Sequence, residues 1–321
     1  NIATQTAVMP GSTFKLVTSL AALENGLDPQ AVITDYGYVE VGDQTFNNLA
    51  WTEYGITQGE ENLYGAIRDS NNYYFYVLAL GENPHDGKSI GTKLELNDIR
   101  VAAEKLGLDQ PTGIEVNIPK ETTGNIPSIG KKVEITKTML QNYLEDRLPV
   151  YLKDGVKKSK SEFENDVLEI VNMTSSPSEW TRSKIIDFLD EKGYNAEQSL
   201  GEDRAGLADT IKFTYLNQAE WDITDMLNIV IGQGQNSYTP IQMNRAIAGL
   251  TNGGYLNKLT LVDKITNHDS GDVLFNNVPQ RTRIDLKDKK YLEDIKYGTL
   301  LVSQNNKILN QMPVDIGIKT G

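Results

Sequence analysis

Three short segments of the chain carry residue types that together could perform acyl transfer through a serine. Ser12-Thr-Phe-Lys15 supplies a hydroxyl and an amine, Ser70-Asn-Asn72 a second hydroxyl and an amide, and Lys319-Thr-Gly321 a second cation. A serine hydroxyl becomes a good nucleophile only when a neighbouring base takes its proton. Lysine can be that base if burial or a second cation lowers its pKa. The segments therefore predict a nucleophile, its base and a substrate clamp.

A helix is needed to position Ser12 and Lys15. Pro10-Gly11 precedes an apolar run and Asn25-Gly26 follows it, which predicts a helix with a Pro-Gly start and a Gly stop. Ser12 would lie at its N-terminus, where free N–H groups and the helix dipole favour developing negative charge. Lys15 would lie one turn above on the same face. On their own, the two residues would be read as a capping serine and a solvated lysine.

The second segment is predicted to interrupt a helix. Residues 61–80 carry apolar side chains at helical spacing and are predicted to form one helix. Ser70-Asn71-Asn72 places three small polar residues, which are poor helix formers, in its middle. One interpretation is a polar surface patch or a turn between two helices. In the other, Ser70 relays a proton between Lys15 and the leaving group, and Asn72 hydrogen-bonds the substrate amide.

The third segment is predicted to be a half-buried strand. Apolar side chains alternate along residues 314–318, so Lys319 is expected on the opposite face. Lys319 and Thr320 would offer a cation and a hydroxyl to a carboxylate. Gly321 would let a ligand approach the backbone closely.

These segments resemble the transpeptidase domains of penicillin-binding proteins. Residues 9–15 resemble the nucleophile segment of that family, and residues 68–76 resemble its second motif with an aromatic tail. Residues 231–243, followed by Asn252-Gly-Gly254, are similar to a further segment, and residues 107–127 resemble the linking stretch. The residues of these segments resemble those of the monofunctional, class B branch of the family.

The resemblance implies an α+β, β-lactamase/transpeptidase-like fold, with an antiparallel sheet flanked by helices and an all-helical region. We expect residues 1–130 to form the first part of the transpeptidase domain, and residues 223–321 its second part, ending at K-T-G. Residues 131–222 are expected to be a helical insertion, either a solvated decoration or a docking surface for a cell-wall partner. Family members carry strands beyond both ends, so we expect this chain to lack sheet strands before Asn1 and after Gly321.

Other elements are predicted from periodicity and breakers. Residues 96–106 and 286–302 carry helical patterns, Thr239-Pro240 opens another helix, and residues 259–275 read as a hairpin.

The same resemblance implies a D,D-transpeptidase that cross-links peptidoglycan stem peptides through an acyl-serine intermediate. Lys15 would deprotonate Ser12, which would attack the D-Ala-D-Ala amide. Ser70 would pass a proton to the departing D-alanine, while Lys319 and Thr320 hold the terminal carboxylate. The implied partners are stem peptides, β-lactam antibiotics that acylate Ser12, and proteins of cell-wall elongation or division.

Other functions share these motifs and stay open. β-Lactamases, D,D-carboxypeptidases and β-lactam sensors differ in their acceptor and in how fast the acyl group leaves. We identify no deacylating glutamate, and the segment around Gln233 favours the transpeptidase. A non-catalytic cell-wall scaffold is a different class, which intact Ser12, Lys15, Ser70 and Lys319 argue against.

Composition limits the remaining possibilities. The net charge of −13 argues against nucleic-acid binding, which needs a basic face. Cysteine is absent, and the two histidines, His85 and His268, lie in turn-like stretches. We therefore predict no cofactor and no metal site. A metal bound near His85 is the alternative that stays open. No run of about 18 apolar residues is present. We expect a membrane anchor outside this chain and a location on the extracytoplasmic face of a bacterial membrane.

Overall fold

The computed structural model describes residues 1–115, 120–199 and 205–321. Part of the stretch 107–127 that resembles the family, residues 116–119, therefore lies outside the described residues. The α-helices are α1 (Ile2–Gln5), α2 (Lys15–Glu24), α3 (Leu49–Tyr54), α4 (Leu63–Arg68), α5 (Asn72–Leu80), α6 (Leu96–Lys105), α7 (Ile129–Arg147), α8 (Lys160–Asn172), α9 (Arg182–Glu191), α10 (Leu207–Asp209), α11 (Asn217–Ala219), α12 (Ile223–Val230), α13 (Pro240–Thr251) and α14 (Lys290–Gln304).

The strands are short and pair two by two. They are β1 (Ile33–Asp35), β2 (Tyr38–Val41), β3 (Gln44–Asn47), β4 (Gly59–Glu61), β5 (Tyr255–Asn257), β6 (Lys264–Thr266), β7 (Val273–Asn276) and β8 (Arg281–Arg283). The pairs β1–β4, β2–β3, β5–β8 and β6–β7 are all antiparallel. Within the described ranges they form four separate two-stranded sheets. Helices and antiparallel strands are thus mixed, as predicted for the α+β class.

The chain divides into two compact units. The first consists of Asn1–Pro127 and Ile223–Gly321, and the second of Ser128–Asp222. In the first unit α2 packs against α6 and α14, while α5 packs against α12. Residues 73–79 of α5 are all buried, which is typical of a helix in the middle of a core. This burial holds the start of α5, where the second motif lies, in a fixed position.

The second unit is helical, with α7, α8 and α9 around its own core. That core includes Leu144, Ile170, Ile185 and Tyr194. A buried carboxylate, Asp166, accepts hydrogen bonds from Lys158 Nζ at 2.5 Å and Tyr194 Oη at 2.9 Å. Among the described residues, no helix of either unit combines the length and apolar character that a membrane span requires.

Two predicted elements differ from the structure. The single helix over residues 61–80 is wrong: α4 ends at Arg68 and α5 begins at Asn72, because Ser70 takes a left-handed backbone conformation that no helix accommodates. The strand over residues 314–321 is also wrong. No strand of the described residues pairs with this segment, and Ile318 N donates instead to Thr299 O in α14 at 3.0 Å.

Other predictions are confirmed with shifted ends. The helix predicted over residues 96–106 is α6, and Thr239 caps α13 at the predicted position. The last helix, α14, begins at Lys290 rather than at residue 286, and the hairpin is β6–β7 with its first strand starting at Lys264.

Candidate active site

The predicted nucleophile lies in a tight turn at the start of α2. A 3₁₀ turn, Gly11–Phe14, runs directly into α2 at Lys15. Ser12 is half-buried, whereas the Lys15 side chain is completely buried. The expected helix start is therefore present, and the buried lysine excludes the interpretation of Lys15 as a solvated surface residue.

Ser70 sits between two helices in a strained conformation. Its φ is 54°, the one positive φ found for a non-glycine residue among those the structure describes. Such a conformation costs of order 1–3 kcal/mol and persists only where the surroundings enforce it. The next residue, Asn71, caps α5 by accepting from Tyr74 N at 3.3 Å.

The three motifs converge on the Ser70 hydroxyl. Lys15 Nζ donates to Ser70 O at 2.6 Å and to Asn72 Oδ1 at 2.5 Å, and it lies 3.4 Å from Ser70 Oγ. Lys319 Nζ donates to the same Oγ at 2.7 Å. The hydroxyl therefore bridges two lysines that come from opposite ends of the chain. Lys15, Ser70, Asn72 and Lys319 are brought together as the sequence predicts.

Burial changes the acid–base chemistry of both lysines. Burial lowers the pKa of Lys15 well below its usual value, the charge of Lys319 lowers it further, and Glu61 partly opposes the shift. Burial also lowers the pKa of Lys319 to about 8. A buried lysine beside a second cation can hold a free amine near neutral pH, which is what a general base requires.

The contact between Lys15 and Ser12 is less direct than predicted. In the described part of the chain, the hydrogen bonds of Lys15 Nζ go to Ser70 and Asn72, and none goes to Ser12 Oγ. Catalytic hydrogen bonds are often long in the free state of an enzyme and tighten with substrate. The proposed proton transfer from Ser12 therefore requires the Lys15 amine to reach Ser12 Oγ in the substrate complex.

The K-T-G segment packs against the nucleophile turn. A Cβ on Gly321 would lie 2.6 Å from Thr13 Cγ2 and 2.9 Å from Thr13 N, so any side chain there would displace the turn. Lys319 Nζ also donates to Thr320 O at 2.7 Å. Gly321 thus permits close approach, although here the neighbour is the protein backbone itself.

One positioning residue, Gly232, was not assigned a role from the sequence. Gly11 N donates to Gly232 O at 3.0 Å, which ties the loop between α12 and α13 to the nucleophile turn. The φ of Gly232 is +78°, and a Cβ there would lie only 2.0 Å from Gly11 O. The sequence of residues 231–243 resembles a family segment, but only the folded chain places Gly232 against Gly11.

We expect Gly232→Ala to cripple the site. The added methyl must displace Gly11, and with it the turn that holds Ser12, and a displacement of about 1 Å can cost about 10²-fold in rate. Gly271→Ala is a matched control, since Gly271 has φ +74° and nothing within 4 Å of its missing Cβ. Rates of penicillin acylation for the two variants give the comparison. Equal losses in both would show that backbone strain, and not the contact with Gly11, is responsible.

The fold and the site together define a class of protein. A serine in a helix-starting turn, a buried lysine one turn later, and a second serine between two lysines form the site of serine acyl-transfer enzymes of the β-lactamase and penicillin-binding type. The family model described as "Penicillin binding protein transpeptidase domain" matches residues 1–146 and 171–321. The chain belongs to this family.

Individual relatives agree with this assignment. Over 127 residues the chain is 32% identical to the peptidoglycan D,D-transpeptidase MrdA of Haemophilus influenzae, a match that covers 39% of this chain and 17% of the relative. The MrdA match supports the class B branch. A match of this extent leaves most of the relative without a counterpart here.

Solved structures agree on the fold. Penicillin-binding protein A of M. tuberculosis, as a ceftriaxone acyl-enzyme complex, is similar with TM-score 0.58 at 15% identity, covering 99% of this chain and 48% of that one. PBP2 of Helicobacter pylori, in complex with MreC, has TM-score 0.56 at 17% identity, covering 95% and 37%. The chain spans less than half the length of each of these relatives, and the β-lactamase-like fold is shared.

Proposed function

We propose that this chain carries the transpeptidase site of a D,D-transpeptidase that cross-links peptidoglycan stem peptides. One observation carries the proposal: the Ser70 hydroxyl joins the buried amine of Lys15 to Lys319. Lys15 and Ser70 can pass a proton, and Lys319 can bind a carboxylate. The reaction needs both. The match to MrdA, whose name is peptidoglycan D,D-transpeptidase, supports the same substrate class.

The first half of the reaction would form an acyl-enzyme. The Lys15 amine takes the proton from Ser12 Oγ, and Oγ bonds to the carbonyl carbon of the penultimate D-alanine. Backbone N–H groups, including that of Ser12, stabilise the oxyanion. The C–N bond then breaks, and the proton passes from Lys15 through Ser70 Oγ to the amine of the departing D-alanine. Meanwhile Lys319 and Thr320 hold its carboxylate.

The second half would transfer the acyl group. An amine of another stem peptide attacks the ester carbonyl, the bond to Ser12 Oγ breaks, and the serine recovers a proton by way of Lys15. The Asn72 side chain would orient the substrate amide, and its Oδ1 already accepts from Lys15 Nζ at 2.5 Å. A β-lactam would enter the first half as a substrate mimic and stop before the second.

The setting of the enzyme is part of the same proposal. We assign residues 1–130 and 223–321 to the transpeptidase domain and residues 131–222 to a helical insertion. The H. pylori relative was solved with MreC, which supports work alongside other cell-wall assembly proteins. A location on the extracytoplasmic face of a bacterial membrane follows from a peptidoglycan substrate.

The intact mass of the protein after incubation with a labelled penicillin tests the proposal. A stable adduct on Ser12 lasting many minutes is the expected result. A transient adduct with rapid loss of penicillin would indicate that the protein is a β-lactamase and not a transpeptidase. If a folded protein formed no adduct, the acyl-serine mechanism would be abandoned in favour of a non-catalytic scaffold.

The pH dependence of acylation should have two limbs set by the two lysines. The rate should rise as the pH rises through the lowered pKa of Lys15, because only the neutral amine can take a proton. For a substrate with a carboxylate, kcat/KM should fall as the pH rises through about 8, where Lys319 loses its charge. Lys319→Arg keeps the charge and should move the alkaline limb upward. An alkaline limb unchanged in Lys319→Arg would show that another group controls it.

A further inference from the structure

A buried carboxylate outside the three motifs accepts hydrogen bonds from several of the chain segments near Ser70. Asp35, the last residue of β1, is 2% exposed. Its Oδ1 accepts from Gly37 N at 2.7 Å. Its Oδ2 accepts from Asn48 Nδ2 at 2.8 Å, from Gln58 N at 3.1 Å and from Asn71 Nδ2 at 3.2 Å. Within the described residues its hydrogen bonds come from four N–H donors, all of which the two oxygens of a carboxylate can accept.

Asn48 connects Asp35 to the second motif through hydrogen bonds of its side chain. The residue is 1% exposed and precedes α3. Its Nδ2 donates to Asp35 and to Gln58 Oε1, the latter at 2.6 Å, which leaves Oδ1 free to accept. That oxygen accepts from Asn72 N at 3.1 Å. The backbone of Asn72 is therefore fixed by a side chain that Asp35 orients.

Asn71 supplies a second connection on the other side of Ser70. Its side-chain amide donates to Asp35 Oδ2 at 3.2 Å and to Glu61 Oε2 at 2.7 Å, while its oxygen accepts from Tyr74 N and caps α5. Both residues that follow Ser70 are thus held by the same buried network. These are the contacts that can enforce the positive φ of Ser70, which the local sequence does not favour.

We propose that Asp35 and Asn48 are positioning residues for the reaction, since together they hold Ser70 and Asn72 in the geometry that meets both lysines. The inference rests on the proposed function, because the geometry matters for acylation through Ser12. In the described residues Asp35 and Asn48 form no hydrogen bond with either lysine, and they act through the backbone of Asn72 and the side chain of Asn71. Substituting them should therefore change the rate without removing a reacting group.

Asp35→Asn is the sharpest variant. The amide has the same shape but one acceptor oxygen for four donors, so its NH₂ must face at least one N–H group. The NH₂ meets either Gly37 N or the donors that include Asn48 and Asn71, so in each orientation the loop loses part of its anchor. We expect acylation by penicillin to slow by up to about 10²-fold. Asn48→Ala removes the acceptor of Asn72 N and should slow acylation through the same loop. The double variant should then be little slower than the slower single variant, because the two changes are coupled.

A matched control separates positioning from general destabilisation. Asp166 is a buried carboxylate of the second unit, and it too accepts several hydrogen bonds. Asp166→Asn should lower the melting temperature and leave the acylation rate of the folded protein unchanged. If Asp35→Asn and Asn48→Ala only lowered the melting temperature, with normal acylation rates well below it, the positioning role would be refuted. Fully additive effects would refute the shared route through the loop.

Crystal structures of the unmodified protein and the variants provide a readout independent of activity. In Asp35→Asn we expect Ser70 to leave its positive φ and to lose the contact between Oγ and Lys319 Nζ. An unchanged loop would overturn the proposal, and Asn48→Ala decides the same question if Asp35→Asn does not fold. If the unmodified protein formed no penicillin adduct, the proposed function would fail, while the loop comparison would still decide whether Asp35 positions Ser70.

Discussion

Replacement of Ser12 with alanine should abolish the penicillin adduct and lower transpeptidation on the order of 10⁶-fold, the scale for removing the nucleophile of a serine acyl-transfer enzyme. The change removes the one oxygen that forms the acyl bond and leaves the Lys15–Ser70–Lys319 chain without a group to deprotonate. Little packing is lost, since Ser12 lies in a turn and is only half-buried. Intact mass with labelled penicillin and a cross-linking assay measure the two effects.

Ser19→Ala is the matched control for this prediction. Ser19 lies in α2, which follows the turn that holds Ser12, and it is fully buried. It donates to Lys15 O at 2.7 Å, but its hydroxyl has no role in the proposed reaction. Its variant should keep the adduct. A full-strength adduct in Ser12→Ala would place the nucleophile elsewhere, and peptide mapping would then show which residue carries the label.

Lys15→Arg should lower the acylation rate by about 10⁴-fold, the upper range for the loss of a general base. Arginine stays positively charged in a protein and does not give up its proton, so it cannot accept one from Ser12. Burial and the charge of Lys319 lower the pKa of Lys15 well below its usual value, which favours the free amine that a general base requires. Stopped-flow acylation by a chromogenic β-lactam gives the rate.

Two further variants test whether the slow acylation of Lys15→Arg has a steric cause. Lys15→Met has a similar length and carries no base, so it should be as slow as Lys15→Arg. Lys105→Arg changes the same residue type where it forms a 2.6 Å ion pair with Glu24, and should keep the normal rate. Rapid acylation by Lys15→Met would assign the base to another residue.

The chemistry of the site could be predicted from short segments because reactive residue types sit at fixed spacings within them. Ser12 and Lys15 share one helical turn, so their relation follows from local geometry. The helices α6 and α13 were predicted for the same reason: their caps and apolar periodicity are local properties.

The two wrong predictions show where local sequence patterns do not determine secondary structure. Apolar spacing over residues 61–80 indicated one helix, but contacts of Asn71 with Asp35 and Glu61 hold Ser70 in a conformation that ends it. Alternation over residues 314–321 indicated a strand, yet a strand exists only with a hydrogen-bonded neighbour, and Ile318 N bonds to helix α14 instead.

By itself the sequence determined which groups are available for catalysis: a serine, its lysine, a second serine, an amide and a second lysine. The tertiary structure alone decided that Lys15 is buried, that Ser70 Oγ meets both lysines, and that Gly232 lies against Gly11. The physical reason is that burial and contact depend on residues far apart in the chain. A lysine becomes a base, and a strained serine turn persists, only when the whole fold removes water and supplies hydrogen-bond partners.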